Sequence, residues 1–170
     1  QASNTAGDKA TGAGGGSGME YGFTGSLGVD GLAVGLSKAI KQNEQTNGKD
    51  DAESTHYGVA YNMGQFAFGV ERTTFSDKNN SDNDTNTTTN DVDYTLYGVT
   101  YAASDNVTLG INIAETDEDS KANEEVTTQL EVAYNLGGAT VAFSHQQTED
   151  NGGTAGSDAD AWSITYKQSF

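Results

Sequence analysis

An Asn- and Asp-rich stretch of the chain has the spacing of a calcium-binding loop. Position 6 of that spacing is Thr87 rather than the glycine that the sharp turn needs, and the flanking segments lack helical periodicity. The stretch is therefore a weak candidate for a specific metal site, and loosely bound divalent cations at acidic loops are the stronger expectation. The candidate ligands, at positions 1, 3, 5 and 12 of the spacing, are Asp82, Asp84, Asn86 and Asp93.

The two histidines do not complete a catalytic constellation. Side chains alternate along an extended strand, and this alternation puts His56 and His145 on opposite faces, so a Ser–His–Asp triad would need a break in the pattern. The chain has no cysteine, which excludes cysteine nucleophiles and thiolate zinc sites. It also lacks a phosphate-binding glycine loop and a dinucleotide fingerprint. The sequence therefore predicts neither an enzyme nor a cofactor.

The elements that carry these residues have the period-2 pattern of amphipathic β-strands. At the end of the chain, Trp162, Ile164 and Tyr166 fall on one face, whereas Ser163 and Thr165 fall on the other. The same pattern recurs along most of the chain and predicts an all-β, antiparallel fold of about nine strands. The predicted strands cover residues 19–28, 32–40, 55–63, 65–75, 94–102, 107–114, 126–134, 139–147 and 160–170.

The connections between these strands are predicted to alternate between four tight turns and four long polar loops. The long loops, at 42–54, 76–93, 115–125 and 148–159, hold most of the acidic residues. A soluble β-sandwich has no reason to sort its loops by side, whereas outer-membrane β-barrels have short turns on one side and long loops on the other. Residues 1–18 are rich in glycine and alanine and are predicted to be a loop or tail, which leaves 19–170 as the β segment.

Composition narrows the class of protein further. Only 34% of the residues are hydrophobic and the mean hydropathy is -0.63, yet 22 glycines, eight tyrosines and six phenylalanines are unlike a disordered chain. No apolar run is long enough for a transmembrane helix. The formal net charge of -17 makes nucleic acid an unfavourable partner. A membrane barrel reconciles these values, because its apolar residues face lipid while its lumen and loops are polar.

The final strand carries the most specific resemblance. The chain ends on Phe170 with Tyr166 four residues earlier, and this ending resembles the terminal strand of bacterial outer-membrane barrels, although Gln168 stands where that family usually has an apolar residue. Together with the sorted loops and the repeated Tyr-Gly-Val strands at 57–59 and 97–99, the chain resembles the C-terminal half of a general diffusion porin of Gram-negative bacteria.

This resemblance implies a transmembrane β-barrel of 16 strands in the outer membrane of a Gram-negative bacterium. It implies passive diffusion of small hydrophilic solutes and ions, a homotrimer, and contact with outer-membrane lipid and lipopolysaccharide. The terminal residues Tyr166 and Phe170 would be the signal that the barrel-assembly machinery reads. The constriction loop of such porins comes from their N-terminal half and would lie outside these residues.

Within such a barrel, the alternation assigns five ionisable residues to the lumen. Three carboxylates and one lysine line this face, and the loops at the pore mouth are acidic. The resulting negative potential attracts cations, which predicts a weakly cation-selective pore. The alternative is that these charges are hydrated wall residues with little influence on the solute. The predicted pore-lining residues are Glu20, His56, Glu71, Glu131 and Lys167.

Three basic or titratable residues, Lys38, Arg72 and His145, fall instead on the apolar face, a few residues above the tight turns. At that height Lys and Arg side chains could extend to lipopolysaccharide phosphates. A subunit interface, or a β-bulge that shifts the alternation, would also explain them.

Two other architectures remain open at this stage. The odd count of nine strands suggests a missing portion, because closed bacterial barrels ordinarily have an even number. An eight-stranded barrel from Gly31 to Phe170, acting as an anchor or adhesin, is the alternative within the membrane class. A soluble, acidic, calcium-associated β-sandwich is the alternative outside it, and it predicts that the apolar residues pack against each other in a dry interior. Such an interior would contain Tyr57, Phe68, Leu109 and Trp162.

Overall fold

The described residues form one antiparallel β-sheet whose strands follow each other in chain order, which confirms the predicted all-β class. The computed structural model describes residues 2–6, 16–43, 51–78 and 91–168. No helix among these residues has the length and apolar character needed to cross a membrane. The strands are β1 (Ala2–Ala6), β2 (Gly16–Gly25), β3 (Leu32–Asn43), β4 (Asp51–Met63), β5 (Phe66–Lys78), β6 (Val92–Ala102), β7 (Val107–Glu118), β8 (Glu125–Asn135), β9 (Ala139–Glu149) and β10 (Ala159–Gln168).

The sheet has ten strands among the described residues, one more than the sequence predicted. The additional strand β1 lies inside the segment 1–18 that was predicted as a loop or tail, and β2 also begins there. Several strands extend past the predicted ends, because cross-strand hydrogen bonds continue where both faces have become polar. The loop predicted at 115–125 is therefore only 119–124, no longer than the β2–β3 connection at 26–31.

The connections β2–β3, β4–β5, β6–β7 and β8–β9 all lie at one end of the sheet, which we call the turn end. Glycine is required there at Gly31, whose φ is 76° and where an added Cβ would contact the main-chain oxygen of Asn62. Gly64 and Gly137 also have positive φ, in the β4–β5 and β8–β9 turns. These left-handed residues let the chain reverse within a few residues and keep neighbouring strands in register.

The two faces of the sheet differ in chemistry. In an antiparallel sheet, directly paired residues point to the same side. The pairing puts most large apolar side chains on one side, the apolar face, and mostly small or polar ones on the other, the polar face, where Phe75 and Leu96 are exceptions. No hydrophobic residue among those described is buried. The exposed fractions are 47% for Tyr57, 40% for Phe68, 40% for Leu109 and 63% for Trp162. The described residues therefore lack the dry interior that a β-sandwich requires.

The strands are offset from one another in a regular way. Leu32, the first residue of β3, lies in the same cross-strand row as Phe68, two residues beyond the first residue of β5. The same shift recurs twice more. Phe66 lies in the row of Leu109, two residues beyond the first residue of β7, and Val107 lies in the row of Val141, two residues beyond the first residue of β9. The offset is thus one residue per strand. With a rise of about 3.3 Å per residue and about 4.8 Å between strands, it corresponds to strands tilted about 35° from the normal to the row of turns.

The sheet is open as far as the described residues show it. Strands β1 and β10 each pair with a single neighbour and are not paired with each other. Ile164, in the edge strand β10, is 76% exposed, the largest value among the exposed apolar side chains. Phe170 and Ser169 lie outside the described residues, whereas Tyr166 lies in β10 on the apolar face.

Candidate functional site

The five residues predicted to line a pore share the polar face. Glu71 pairs directly with Gly58, and Glu131 pairs with Gly110 and Ser144, all on the side opposite the large apolar residues. The remaining three have small or hydroxyl-bearing partners on the same side. They share this face because the alternation runs through each strand without interruption. Their pairs are Glu20 with Ala39, His56 with Thr73, and Lys167 with Thr140.

Glycine occupies the same height on the polar face of five consecutive strands. Gly35, Gly69 and Gly110 are each the third residue after the first residue of β3, β5 and β7. Gly58 and Gly98 pair directly with Gly35 and Gly69. Because the regular offset keeps these positions at one distance from the turn end, they form a strip across the sheet that we call the glycine band. A strand glycine leaves the backbone uncovered and permits close approach of a ligand or of another chain segment.

A hollow of about 510 Å³ lies over part of the glycine band and extends from β2 to β6. Its floor is formed largely by glycine and alanine, and His56, Glu71 and Leu96 are its larger polar-face side chains. Nδ1 of His56 is 2.9 Å from Oγ1 of Thr73. Glu71 pairs directly with Leu96 and with Gly58. A Cβ added to Gly58 would lie 3.1 Å from the Cβ of Glu71. Among the described residues that line the hollow, Glu71 alone has a formal charge at neutral pH.

The three basic or titratable residues of the apolar face are each bound to a carboxylate on the neighbouring strand. Each is the sixth residue after the first residue of its strand, and each partner lies two residues before the residue paired directly with it. We call this set the ion-pair belt. Pairing is regular through all three positions, so the structure contains no bulge there. The pairs are Lys38–Glu53, Arg72–Asp93 at 2.5 Å, and His145–Asp160 at 2.9 Å.

The belt is interrupted at the β7–β8 hairpin. The residue six positions after Val107 is Ile113, which pairs with Thr128, and the residue two positions before Thr128 is Val126. An apolar pair thus stands where the other three hairpins have an ion pair. Val126 in turn pairs directly with Glu115, so a carboxylate stands at this height in the β7–β8 hairpin as well.

His145 makes a second contact on the apolar face. Its ring stacks on the indole of Trp162, with the ring centroids 3.8 Å apart and the planes 19° from parallel. Gln147 donates from Nε2 to the same carboxylate oxygen of Asp160 at 3.4 Å. His145 is therefore fixed between an acid and the only tryptophan of the chain, on the opposite face from His56, as the alternation predicted.

Two of the connections at the end of the sheet opposite the turns are described and contact each other. The main-chain N–H of Gly152 donates to Oε2 of Glu125 at 2.7 Å, and Gly153 packs closely on Lys121. Within the second loop, Gly156 N–H donates to Oδ1 of Asp150 at 2.7 Å. The loops 119–124 and 150–158 thus form one ordered, acidic unit at the end of the sheet opposite the turns.

The structure covers little of the calcium-like spacing. Asp82, Asp84 and Asn86 lie outside the described residues, and Asp93 is held by Arg72. Over the part of the chain that is described, no group of three or more acidic or histidine side chains is arranged to hold a metal ion.

Sequence reasoning identified the basic or titratable residues of the belt but not their partners. Each acid lies two residues before the position opposite its basic or titratable partner. The acids are visible in the sequence, but their pairing can be recognised only when the register of the two strands is known. The glycine band was missed for the same reason. Comparison of the chain with models of protein families and with curated proteins finds no match.

Proposed function

We propose that the chain forms part of the wall of an outer-membrane β-barrel that admits small hydrophilic solutes and ions by passive diffusion. The observation that carries this proposal is the uncovered apolar face, on which the large hydrophobic side chains of the strands are exposed while small and polar side chains occupy the other face. A sheet in water would have to cover such a face with a second layer. In a bilayer the same side chains contact lipid and require no cover.

The height of the apolar face supports a bilayer as its surroundings. The carboxylates of the ion-pair belt lie opposite the eighth residue after the first residue of β3, β5 and β9. Eight residues of a strand tilted about 35° rise about 22 Å. The apolar band of outer-membrane barrels is about 25 Å tall, and their strands tilt by about 35–45°. The belt then lies at the upper edge of the hydrocarbon layer.

The barrel requires that further strands close the open sheet, and the resemblance to general diffusion porins suggests a total of 16. The eight-stranded alternative starts at Gly31 and would exclude β2 from the barrel. It is less consistent with the sheet, because β2 pairs with β3 over ten residue pairs. A homotrimer, recognition by the barrel-assembly machinery and contact with lipopolysaccharide belong to the proposal through the same resemblance.

Weak cation preference follows from the charges on the polar face. Glu20, Glu71 and Glu131 outnumber Lys167 there, and the two described loops at the other end add further carboxylates. Water in the lumen screens these charges, so the preference is modest. Conduction of this kind uses neither a catalytic residue nor a cofactor.

Reconstitution of the detergent-extracted native polypeptide into planar bilayers tests the proposal. We expect stepwise, long-lived conductance increments, a reversal potential that indicates cation preference in a potassium chloride gradient, and slower or faster gel migration before heating than after it. A polypeptide that remains soluble without detergent and adds no conductance would refute the proposed function. A heat-modifiable protein without conductance would favour the small anchoring barrel.

A further inference from the structure

The hollow on the polar face combines features that a water-filled wall does not need. The glycines of β3 to β6 leave the backbone uncovered over neighbouring strands, whereas the same height of β8 and β9 carries Glu131 and Ala142. The volume of about 510 Å³ is within the range of sites for small molecules. The hollow is therefore large enough for a solute and shallow enough to release it.

The lining determines which solute fits. Glu71 is the single formal charge among the described lining residues. Its direct cross-strand neighbours are the apolar Leu96 and the bare backbone of Gly58. An isolated carboxylate beside apolar surface favours a cation that also carries an apolar body. A metal ion would need several oxygen ligands, and the part of the lining that the structure describes supplies one carboxylate.

From this geometry we infer that the hollow is a binding site for small organic monocations, with the ammonium group on Glu71 and an aliphatic body on Leu96 and the glycine floor. His56, diagonal to Glu71 and hydrogen-bonded to Thr73, borders the same volume. Such solutes would be retained at the wall longer than inorganic cations. Access to the hollow from bulk solution rests on the proposed pore, because the polar face must line water.

Equilibrium binding of radiolabelled butylammonium to the detergent-solubilised protein tests the site directly. We expect saturable binding that weakens about tenfold in Glu71→Gln, because the charged hydrogen bond to the ammonium is lost. Methylammonium should bind more weakly than butylammonium, since it lacks the aliphatic contact with Leu96. Gly69→Val should also weaken binding, because a Cβ there has only ordinary contacts nearby, the closest at 3.8 Å, and the side chain would fill the hollow.

Glu131→Gln is the matched control. Glu131 is a carboxylate on the same face, paired directly with a glycine of the band, but it lies three strands and four residues along the strand from Glu71, about 20 Å away, and outside the hollow. Equal weakening in Glu71→Gln and Glu131→Gln would show a diffuse field rather than a site and would overturn the inference. Absence of saturable binding would also overturn it. Intact binding in a protein without conductance would instead count against the proposed pore.

Discussion

An arginine placed halfway up the apolar face should distinguish a wall in lipid from a sheet in water. Ile111 is the fourth residue after the first residue of β7 and pairs with Val99 and Leu130. Four residues of a strand tilted about 35° rise about 11 Å, so Ile111 lies midway between the turn end and the height of the ion-pair belt. Arginine at the midplane costs about 2–4 kcal/mol in outer-membrane barrels. We expect Ile111→Arg to lower the free energy of unfolding in lipid by that amount.

The next residue supplies the control. Asn112 points to the polar face, where it pairs with Gly98 and Gln129. We expect Asn112→Arg to change the free energy of unfolding by less than about 0.5 kcal/mol, because its side chain would remain in water. Both substitutions add one positive charge and place the same side chain at neighbouring positions of one strand. Their difference therefore measures the surroundings of the two faces.

Urea titration of the native polypeptide folded into lipid vesicles provides the measurement. Trp162, the one tryptophan of these 170 residues, lies on the apolar face and is 63% exposed, so its emission should report transfer from lipid to water on unfolding. Gel migration before and after heating gives an independent measure of the folded fraction. Equal losses in Ile111→Arg and Asn112→Arg, or no loss in either, would refute the assignment of the apolar face to lipid.

Three further outcomes are expected. Val126→Lys should place a cation directly opposite Glu115 across the β7–β8 hairpin, and a double-mutant cycle with Glu115→Gln in vesicles should give a favourable coupling of about 0.2–1 kcal/mol; zero or unfavourable coupling would contradict the register of β7 and β8. Gly31→Ala should destabilise the fold by about 1–3 kcal/mol and by more than Gly28→Ala, because both have a φ of 76° but only Gly31 has a main-chain oxygen in the way; equal urea midpoints would contradict this. Lys167→Gln should shift the reversal potential toward greater cation preference, and an unchanged potential would remove Lys167 from the pore wall.

The division of residues between the two faces was predictable because it depends only on local alternation. Tyr57 and Gly58 must point to opposite sides of any extended strand, whatever lies next to it. The all-β antiparallel class and most strand positions follow from the same property. The end of each strand was less predictable, since pairing in β5 continues to Lys78, beyond the apolar stripe.

Features that depend on register could not be predicted from the alternation. The partner of Arg72 is Asp93, 21 residues away, and the choice depends on how β5 and β6 align across the loop between them. Likewise, Gly35 and Gly110 are at one height only because every strand is offset by one residue from the last. Strand β1, with the sequence Ala-Ser-Asn-Thr-Ala, has no apolar stripe, and its only sign is its pairing with β2.

Because of the regular offset, each row of paired residues follows a helical path across the strands and does not stay at one height. The row that leaves Leu32 beside a tight turn reaches His145, high on the sheet, after six strands. In a closed wall of constant pitch, a complete circuit returns to its first strand displaced by as many residues as there are strands. An engineered cross-link that identifies the register between the first and last strands of the closed barrel would therefore reveal how many strands the whole barrel contains.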